Sequence, residues 1–189
     1  MKQENSLAGK FLVAMPTLED NNFERTVLFV CSHDSEGALG LVINQPHPAP
    51  MDEVIGQLNL EWRRDERPKI VYQGGPVSLE RGFVLFEQET EDPTHLKVGD
   101  SLFLGTDPDI LRTLVEKETA SQFFFALGYS GWAKGQLERE IRDNAWLIGN
   151  FDRRVLFDLP SEGRWTAALW AMGIDPAQLV DGGGSHLSN

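Results

Sequence analysis

One stretch decides the fold: Gln122-Phe-Phe-Phe-Ala-Leu-Gly-Tyr-Ser-Gly-Trp-Ala-Lys-Gly-Gln-Leu-Glu138. Residues 122–127 are its most apolar part, and such a run is typical of a strand that a sheet buries on both faces. Residues 128–135 are rich in glycine and predict a loop. The charged residues 136–142 predict a short helix. A loop that leads into a helix N-terminus can bind an anion through backbone amides, and the alternative is a purely architectural loop.

Shorter apolar runs on either side of this stretch predict more strands. They occupy residues 10–15, 25–32, 38–44, 70–72, 82–86, 101–104 and 145–148. The second and third of these runs are close enough in the chain to form a hairpin. Many short strands of this kind predict a sheet that is strongly curved.

Apolar residues three and four positions apart predict helices with one buried face. These helices lie close to Met51, Pro108 and Trp165. The prolines at positions 46, 48 and 50 predict a stiff loop. We therefore predict an α+β protein, a single compact domain over residues 1–180 with a mixed, strongly curved β-sheet flanked by a few short helices. Residues 181–189 predict a flexible Gly/Ser tail.

The balance of charge excludes several classes of partner. The chain has 189 residues, with 17 lysines and arginines against 29 aspartates and glutamates, and a net charge of −12. Nucleic acids and anionic membranes bind clustered basic residues, so direct nucleic-acid binding and membrane binding are not expected. Cys31 is the only cysteine, which excludes a disulfide framework. A lone cysteine in an apolar run indicates a buried thiol and a cytoplasmic protein.

Motifs for catalysis and metal binding are absent or incomplete. The sequence has no Gly-x-x-x-x-Gly-Lys-Ser/Thr, no Gly-x-Gly-x-x-Gly and no His-Glu-x-x-His motif. Ser130 lies in Gly-x-Ser-Gly, whereas the turn that presents a nucleophilic serine is Gly-x-Ser-x-Gly. Cys31 and His33 share one face of a strand, but a metal ion needs further ligands. We predict no catalytic residue, no metal and no cofactor.

Several polar residues are candidates for binding. Arg25 and Thr26 open an apolar strand, where a guanidinium pairs either with a carboxylate of the protein or with an anionic ligand. Asn44 ends the next strand and is interpreted as a strand-end cap. Gly74 and Gly75 precede a proline and form either a tight turn or a group of amides that holds an anion.

The sequence resembles the YqgE/AlgH family of bacterial proteins. The resemblance is carried, in order, by Gly9-Lys-Phe-Leu-Val-Ala-Met-Pro16, Phe23-Glu-Arg-Thr-Val27, His33, Gly37-Ala-Leu-Gly-Leu-Val-Ile-Asn44, Gly74-Gly-Pro-Val77, Arg81-Gly-Phe-Val-Leu85, residues 127–138 and Ala145-Trp-Leu147. It extends over about residues 7–180. It implies a cytoplasmic α+β protein whose sheet bends into a pseudo-barrel. Some members are labelled transcriptional regulators, and the resemblance implies no particular reaction or cofactor.

The resemblance also identifies motif residues. They correspond here to Arg25, Thr26, His33, Asn44, Arg81, Gly128, Tyr129, Gly131, Trp132, Gln136 and Glu138. The chain departs from the family at two positions. Phe86 stands where many relatives have histidine, and Ser130 stands where alanine is commoner.

Together these observations favour a non-catalytic regulatory or binding protein that affects transcription indirectly. It would act through the Gly/Trp-rich loop and nearby arginines, on an unknown protein or small-molecule partner. The candidate binding residues are Arg25, Thr26, His33, Asn44, Gly74, Gly75, Arg81, Tyr129, Ser130, Trp132, Gln136 and Glu138. The alternative is an enzyme of unknown reaction with His33, Arg25, Tyr129 and Glu138 in one cleft. An exposed Trp132 and Tyr129 would also suit a dimer face, and we expect a monomer or a weak homodimer.

Overall fold

One curled sheet organises the part of the chain that the structure, a computed structural model, describes: residues 6–16, 25–61, 70–87, 92–116 and 122–181. Its strands are β1 Phe11–Ala14, β2 Val27–Asp34, β3 Gly37–Val42, β4 Pro46–Pro50, β5 Ile70–Gln73, β6 Val77–Phe86, β7 Leu96–Val98, β8 Leu102–Gly105, β9 Phe123–Ala133 and β10 Trp146–Gly149. The helices in the same ranges are α1 Met51–Gln57, α2 Pro108–Glu116, α3 Gln136–Arg142, α4 Arg153–Phe157, α5 Ser161–Ala171 and α6 Pro176–Asp181.

The strand order confirms the predicted α+β fold. The sheet runs β10-β1-β2-β3-β9-β6-β8-β7, and β5 joins it on β9 while β4 pairs with β5. The β5–β9 pair is parallel and the other described pairs are antiparallel, so the sheet is mixed as predicted. The sheet curls into a half-barrel with the short helices around it. In the ranges described, no helix is both long and apolar enough to cross a membrane.

Strand β9 is the centre of the sheet, because it pairs with β3, β5 and β6. The prediction of a loop over residues 128–135 is wrong, since β9 continues through Ala133. Gly131 lies opposite Leu39 of β3, and Trp132 lies opposite Ala38. The glycines of this stretch do not break the strand. They let neighbouring backbones come close to it.

The closest approach to β9 is made by the segment between β5 and β6. A Cβ atom on Gly74 would lie 2.3 Å from the carbonyl oxygen of Gly128. A Cβ atom on Gly75, whose φ is +155°, would lie 2.2 Å from the carbonyl carbon of Tyr129. Only glycine fits at both positions, so the close contact of two backbones explains the glycine pair.

Other elements differ from the sequence prediction in extent. Residues 46–50 form the strand β4 rather than a stiff loop, because proline is tolerated at a sheet edge. Strand β6 begins at Val77, five positions before the predicted run, and β7 and α4 were not predicted. The hairpin of β2 and β3, the helix start at Pro108 and strand β10 are confirmed. Asp181 ends α6, and the rest of the predicted tail lies outside the described residues.

A buried arginine attaches α5 to the sheet. Arg164 Nε donates a hydrogen bond to the carbonyl of Leu159 at 3.0 Å, and its Nη1 donates one to the carbonyl of Ile43. The guanidinium lies over the Tyr72 ring, with 4.8 Å from Cζ to the ring centroid. Burial lowers the pKa of Arg164. The side chain therefore joins α5, the loop before it and the ends of two strands at one point.

Substitution of Gly75 tests the close approach to β9. In Gly75→Ala the new Cβ atom meets the Tyr129 backbone at a positive φ, so we expect the free energy of unfolding to fall by about 3 kcal/mol or more. Gly56→Ala is the matched control, because no atom outside its chain neighbours and the α1 backbone lies within 4 Å of its Cβ position. It should stabilise the protein by about 0.5–1 kcal/mol. Urea denaturation measures the free energy of unfolding of both variants. Equal stability of the two would contradict the close contact between Gly75 and the Tyr129 backbone.

Candidate functional site

A glutamate that the sequence reading did not single out organises the Gly/Trp-rich segment. Glu140 Oε2 accepts hydrogen bonds from the indole Nε1 atoms of Trp132 and Trp146, both at 2.8 Å. Its Oε1 accepts one from Gln136 Nε2 at 2.9 Å. The two indole rings meet edge to face with centroids 6.2 Å apart. Glu140 therefore fastens α3 to strands β9 and β10.

This arrangement changes the roles expected for two candidate residues. Trp132 is 7% exposed, so it is not the exposed dimer face that the sequence suggested. Gln136 Oε1 accepts a hydrogen bond from the Ala133 amide at 3.0 Å, which occupies the start of α3. Both side chains hold α3 in place. The only sequence signal for Glu140 is its spacing of four residues from Gln136, which places the two on one helix face.

His33 and Glu138 come together, although 105 positions separate them in the chain. His33 Nε2 lies 3.0 Å from Glu138 Oε1, and the Leu7 amide donates a hydrogen bond to His33 Nδ1 at 3.0 Å. Because Nδ1 accepts, the proton of the neutral ring is on Nε2, which donates to the carboxylate. The Ser6 hydroxyl donates to the His33 carbonyl at 3.0 Å. His33 thus joins the N-terminal turn to α3.

The hydrogen bonds around Glu138 hold the pKa of its carboxyl below the usual value. The largest contribution is a hydrogen bond from its own backbone N–H, and the hydrogen bond from His33 is the next. A carboxylate with a lowered pKa stabilises the folded state above the pKa that it has in the unfolded chain. That contribution is lost as the pH falls through the pKa of the folded state.

The other two residues of the hypothetical catalytic cleft make their contacts elsewhere. The Tyr129 ring packs against Phe83, with centroids 5.5 Å apart. The Arg25 guanidinium lies over the Trp165 ring, 5.6 Å from the centroid, instead of opening β2 beside a carboxylate. Ser130 is buried and its hydroxyl donates to the Gly74 carbonyl at 3.3 Å. Within the described residues, no three His, Cys, Asp or Glu side chains form a group that could hold a metal ion.

Asn44 closes the open end of the β2–β3 pair, as a strand-end cap does. Its Oδ1 accepts a hydrogen bond from the Val27 amide at 2.8 Å, and its Nδ2 donates one to the Arg25 carbonyl at 2.9 Å. The neighbouring Gln45 Nε2 donates to the hydroxyl of the buried Thr26 at 3.1 Å. The side chains of Thr26 and Asn44 therefore form hydrogen bonds within the protein at the ends of these strands.

The Gly74–Gly75 segment packs on β9 rather than surrounding an anion. The Gly74 amide donates to the Leu127 carbonyl at 2.8 Å, so it is not available to a ligand. The nearby Arg81 makes other contacts: its Nη2 donates to the Thr106 hydroxyl at 3.3 Å, and its guanidinium lies over the Phe83 ring.

Two of the open spaces on the described surface adjoin candidate residues or their neighbours in the chain. The first, named here the lysine cleft, has a volume of about 830 Å³. It is lined by His33 and, among others, Ser6, Lys10, Lys97, Ser101 and Phe151. The second, named the α1–α2 groove, has a volume of about 390 Å³. It is lined by Val54, Leu58, Glu80, Asp107, Leu111 and Leu127, among others.

Comparison with known proteins identifies close relatives. A family model described as AlgH-like matches residues 11–177. A UPF0301 protein of Magnetococcus marinus is 52% identical over 176 residues, which cover 93% of this chain and 94% of that protein. A UPF0301 protein of Neisseria gonorrhoeae is 39% identical over 179 residues, which cover 95% of this chain and 98% of that protein.

Solved structures share the fold. The solution structure of the AlgH protein from Pseudomonas aeruginosa has a TM-score of 0.76 and 36% identity, and the match covers 100% of both chains. A crystal structure of a protein from Corynebacterium diphtheriae has a TM-score of 0.68 at 20% identity, over 89% of this chain and 88% of that one. The second likeness concerns the fold alone.

The His33–Glu138 contact predicts a measurable pKa change. In His33→Phe, the pKa of Glu138 should rise toward its usual value because the ring no longer donates a hydrogen bond. It should remain below that value, because the backbone hydrogen bond persists. Carboxyl-carbon NMR titration measures this. Asp152 is the control, since its lowered pKa depends on Arg154 and should not move. An unchanged Glu138 pKa in the variant would exclude the His33 hydrogen bond.

Proposed function

This chain belongs to the AlgH-like family, and we propose that it is a cytoplasmic, non-catalytic binding protein that docks a protein partner in the α1–α2 groove and affects transcription indirectly. The groove is the observation that carries the proposal. Its lining includes Leu127, which precedes Gly128 in β9, and Glu80 and Gly82, which flank Arg81 in β6. We therefore assign the binding role expected for that segment to the groove residues beside it rather than to Trp132.

The polar candidates support a role in binding rather than in catalysis. General acid–base or nucleophilic chemistry needs reactive side chains within hydrogen-bond reach of one reacting position. Here His33 and Glu138 satisfy each other, while Ser130 donates to a backbone carbonyl. Both nitrogens of His33 are engaged, so the ring has no free position for a substrate.

The groove has apolar walls and an acidic rim. Val54, Leu58 and Leu127 are half-buried and pack against the core cluster beneath them. Glu80 and Asp107 lie among the lining residues, and no lysine or arginine is found among the described residues that line the groove. Asp107 accepts a hydrogen bond from the Ile110 amide and contacts His95, so Glu80 is the rim carboxylate that a partner would meet. A concave apolar surface with fixed charges at its rim is typical of a site that accepts an amphipathic segment.

A bulge in β6 enlarges this surface. Val77 pairs with Tyr129 and Gly82 pairs with Leu127, so four residues of β6 have no partner on β9. Ser78 within the bulge has a φ of +49°, which is uncommon for a residue other than glycine. Leu79 is 55% exposed there. Bulges of this kind redirect side chains next to functional surfaces, and this one presents an apolar side chain beside the acidic rim.

The chemistry of the rim indicates the partner. The chain carries a net charge of −12, and Glu80 lies at the rim of the apolar floor of the groove. A segment with one apolar face and flanking lysines or arginines complements both features. We infer that the partner is a protein with a basic amphipathic helix, and that regulation follows from holding that protein.

A designed peptide tests this assignment. A helical peptide of leucine and lysine should shift the amide NMR signals of Leu58, Gly82 and Leu127, whereas its leucine–glutamate counterpart should not. Glu80→Gln should weaken binding about threefold or more, because one rim charge is lost. Glu162→Gln removes an exposed charge on α5, outside the groove, and should leave the affinity unchanged.

Two results would contradict the docking proposal. One is an equal loss of affinity in Glu80→Gln and Glu162→Gln, which would mean that the peptide responds to net charge alone. The other is signal shifts centred on the exposed Ile148 of β10 or Trp170 of α5 instead of the groove. Leu79→Ser provides a second variant, because its side chain is exposed and its loss should not disturb folding.

Direct binding to DNA is the competing account of a regulatory role. DNA-binding surfaces carry clustered basic residues, and this chain is acidic overall. We expect no specific complex between the isolated protein and DNA at physiological salt. Fluorescence anisotropy over a salt series measures this, and a sequence-specific complex that persists near 150 mM salt would refute the indirect role.

A further inference from the structure

The lysine cleft lies between two turns that touch each other. One turn is the N-terminal segment at Gly9, and the other follows β7 at Gly99. Both glycines have positive φ angles, +82° and +62°. A Cβ atom on Gly9 would lie 3.0 Å from the Gly99 Cα atom. The contact of these two turns, together with His33 below, gives the cleft a defined shape.

The cleft is lined by two lysines for which the described residues supply no ion-pair partner. The structure describes the lysines Lys10, Lys97 and Lys134. Lys134 pairs with Glu36 at 3.5 Å. Lys10 Nζ instead donates to the neutral amide oxygen of Asn150 at 2.8 Å, and Lys97 Nζ lies 5.9 Å from the Phe103 ring centroid. Within the described residues, the two lysines without a carboxylate partner are therefore the two that line this cleft.

The acidic residues of the cleft do not give its lining a net negative charge. Asp34 and Asp100 also line it. Asp34 Oδ1 accepts a hydrogen bond from the Glu36 amide at 2.8 Å and so serves the β2–β3 turn. Two lysines and two aspartates leave the lining neutral in a chain whose net charge is −12. An anion is therefore repelled less strongly here than by the average surface of the protein.

The wall of the cleft is apolar below its charged rim. Phe29, Val98 and Leu102 are buried lining residues, and Phe151 is half-buried beside them. A volume of about 830 Å³ is within the range of small-molecule sites and far larger than a single inorganic ion needs. The combination calls for a ligand with an apolar body and an anionic head.

We propose that the lysine cleft binds a small organic anion, an aromatic or other apolar body that carries a phosphate or a carboxylate. The head group takes the place of Asn150 on Lys10. The Lys97 side chain, which lies near the Phe103 ring on the other face of the β7–β8 pair, turns toward the cleft to share the head group. The body lies against Phe151 and Leu102. His33 forms part of the wall without binding the ligand, because both of its ring nitrogens are engaged. The cleft and the α1–α2 groove share no lining residue, so the test of this site does not depend on the docking proposal.

Simple probes test the ligand chemistry. Phenyl phosphate and benzoate supply the two head groups on the same ring, while phenol lacks the anion and inorganic phosphate lacks the ring. We expect at least one of the two ring anions to shift the amide NMR signals of Gly9, Gly99 and Ser101 and to saturate, and the stronger of the two identifies the head group. Phenol or inorganic phosphate binding as tightly would overturn the proposal, and so would no saturable shift with either ring anion.

Lysine variants test the site itself. Lys10→Gln and Lys97→Gln should each weaken binding of the better probe about tenfold, because each removes one charge-assisted contact. Lys134→Gln makes the same change of charge outside the cleft and should leave the affinity within about twofold of the wild type. Equal weakening by all three variants would show an effect of net charge and would overturn the assignment of the cleft. Unchanged affinity in both cleft variants would overturn it as well.

Discussion

The fold depends on how closely other backbones approach strand β9. The strand pairs with three others, and Gly74 and Gly75 come so near to its backbone that neither position has room for a Cβ atom. This contact fixes where β5 ends and β6 begins, and β6 in turn carries the bulge beside the α1–α2 groove. On the opposite side of β9, pairing with β3 places His33 within reach of α3. The positions of the lysine cleft and of the α1–α2 groove therefore both depend on β9.

Periodicity predicted much of this fold, because long apolar runs and helical spacing depend on burial alone. The central run at 122–127, the β2–β3 hairpin and the start of α2 at Pro108 were all predicted. Residue types with two physical uses gave wrong predictions. Glycine marks loops, but it also marks close backbone contact, so the second half of β9 was mistaken for a loop. The three-residue strand β7 and the five-residue helix α4 are too short for any periodicity to identify.

The contacts of the candidate residues could not be predicted from the sequence. Gln136 and Glu138 belong to α3 and His33 and Trp132 contact it, but spacing in the sequence does not show which side chains they contact. His33 contacts Glu138, 105 positions away in the chain, and Glu140 accepts hydrogen bonds from two indoles on two different strands. No sequence motif identified Lys10 or Lys97 as candidate residues. Their significance arises from the absence of a neighbouring carboxylate among the described residues, which is a property of the surface rather than of the chain.

The shared carboxylate of Glu140 also gives the protein an optical signature. Trp132 and Trp146 are held edge to face with centroids 6.2 Å apart, and both indole N–H groups are fixed on one oxygen. Two chromophores at this distance and in a rigid orientation exchange excitation, so their near-ultraviolet circular dichroism is the property of the pair and not of either ring. That band exists only while α3 is seated on β9 and β10. The molecule thus carries a built-in spectroscopic reporter on the helix that His33 connects to the N-terminal turn.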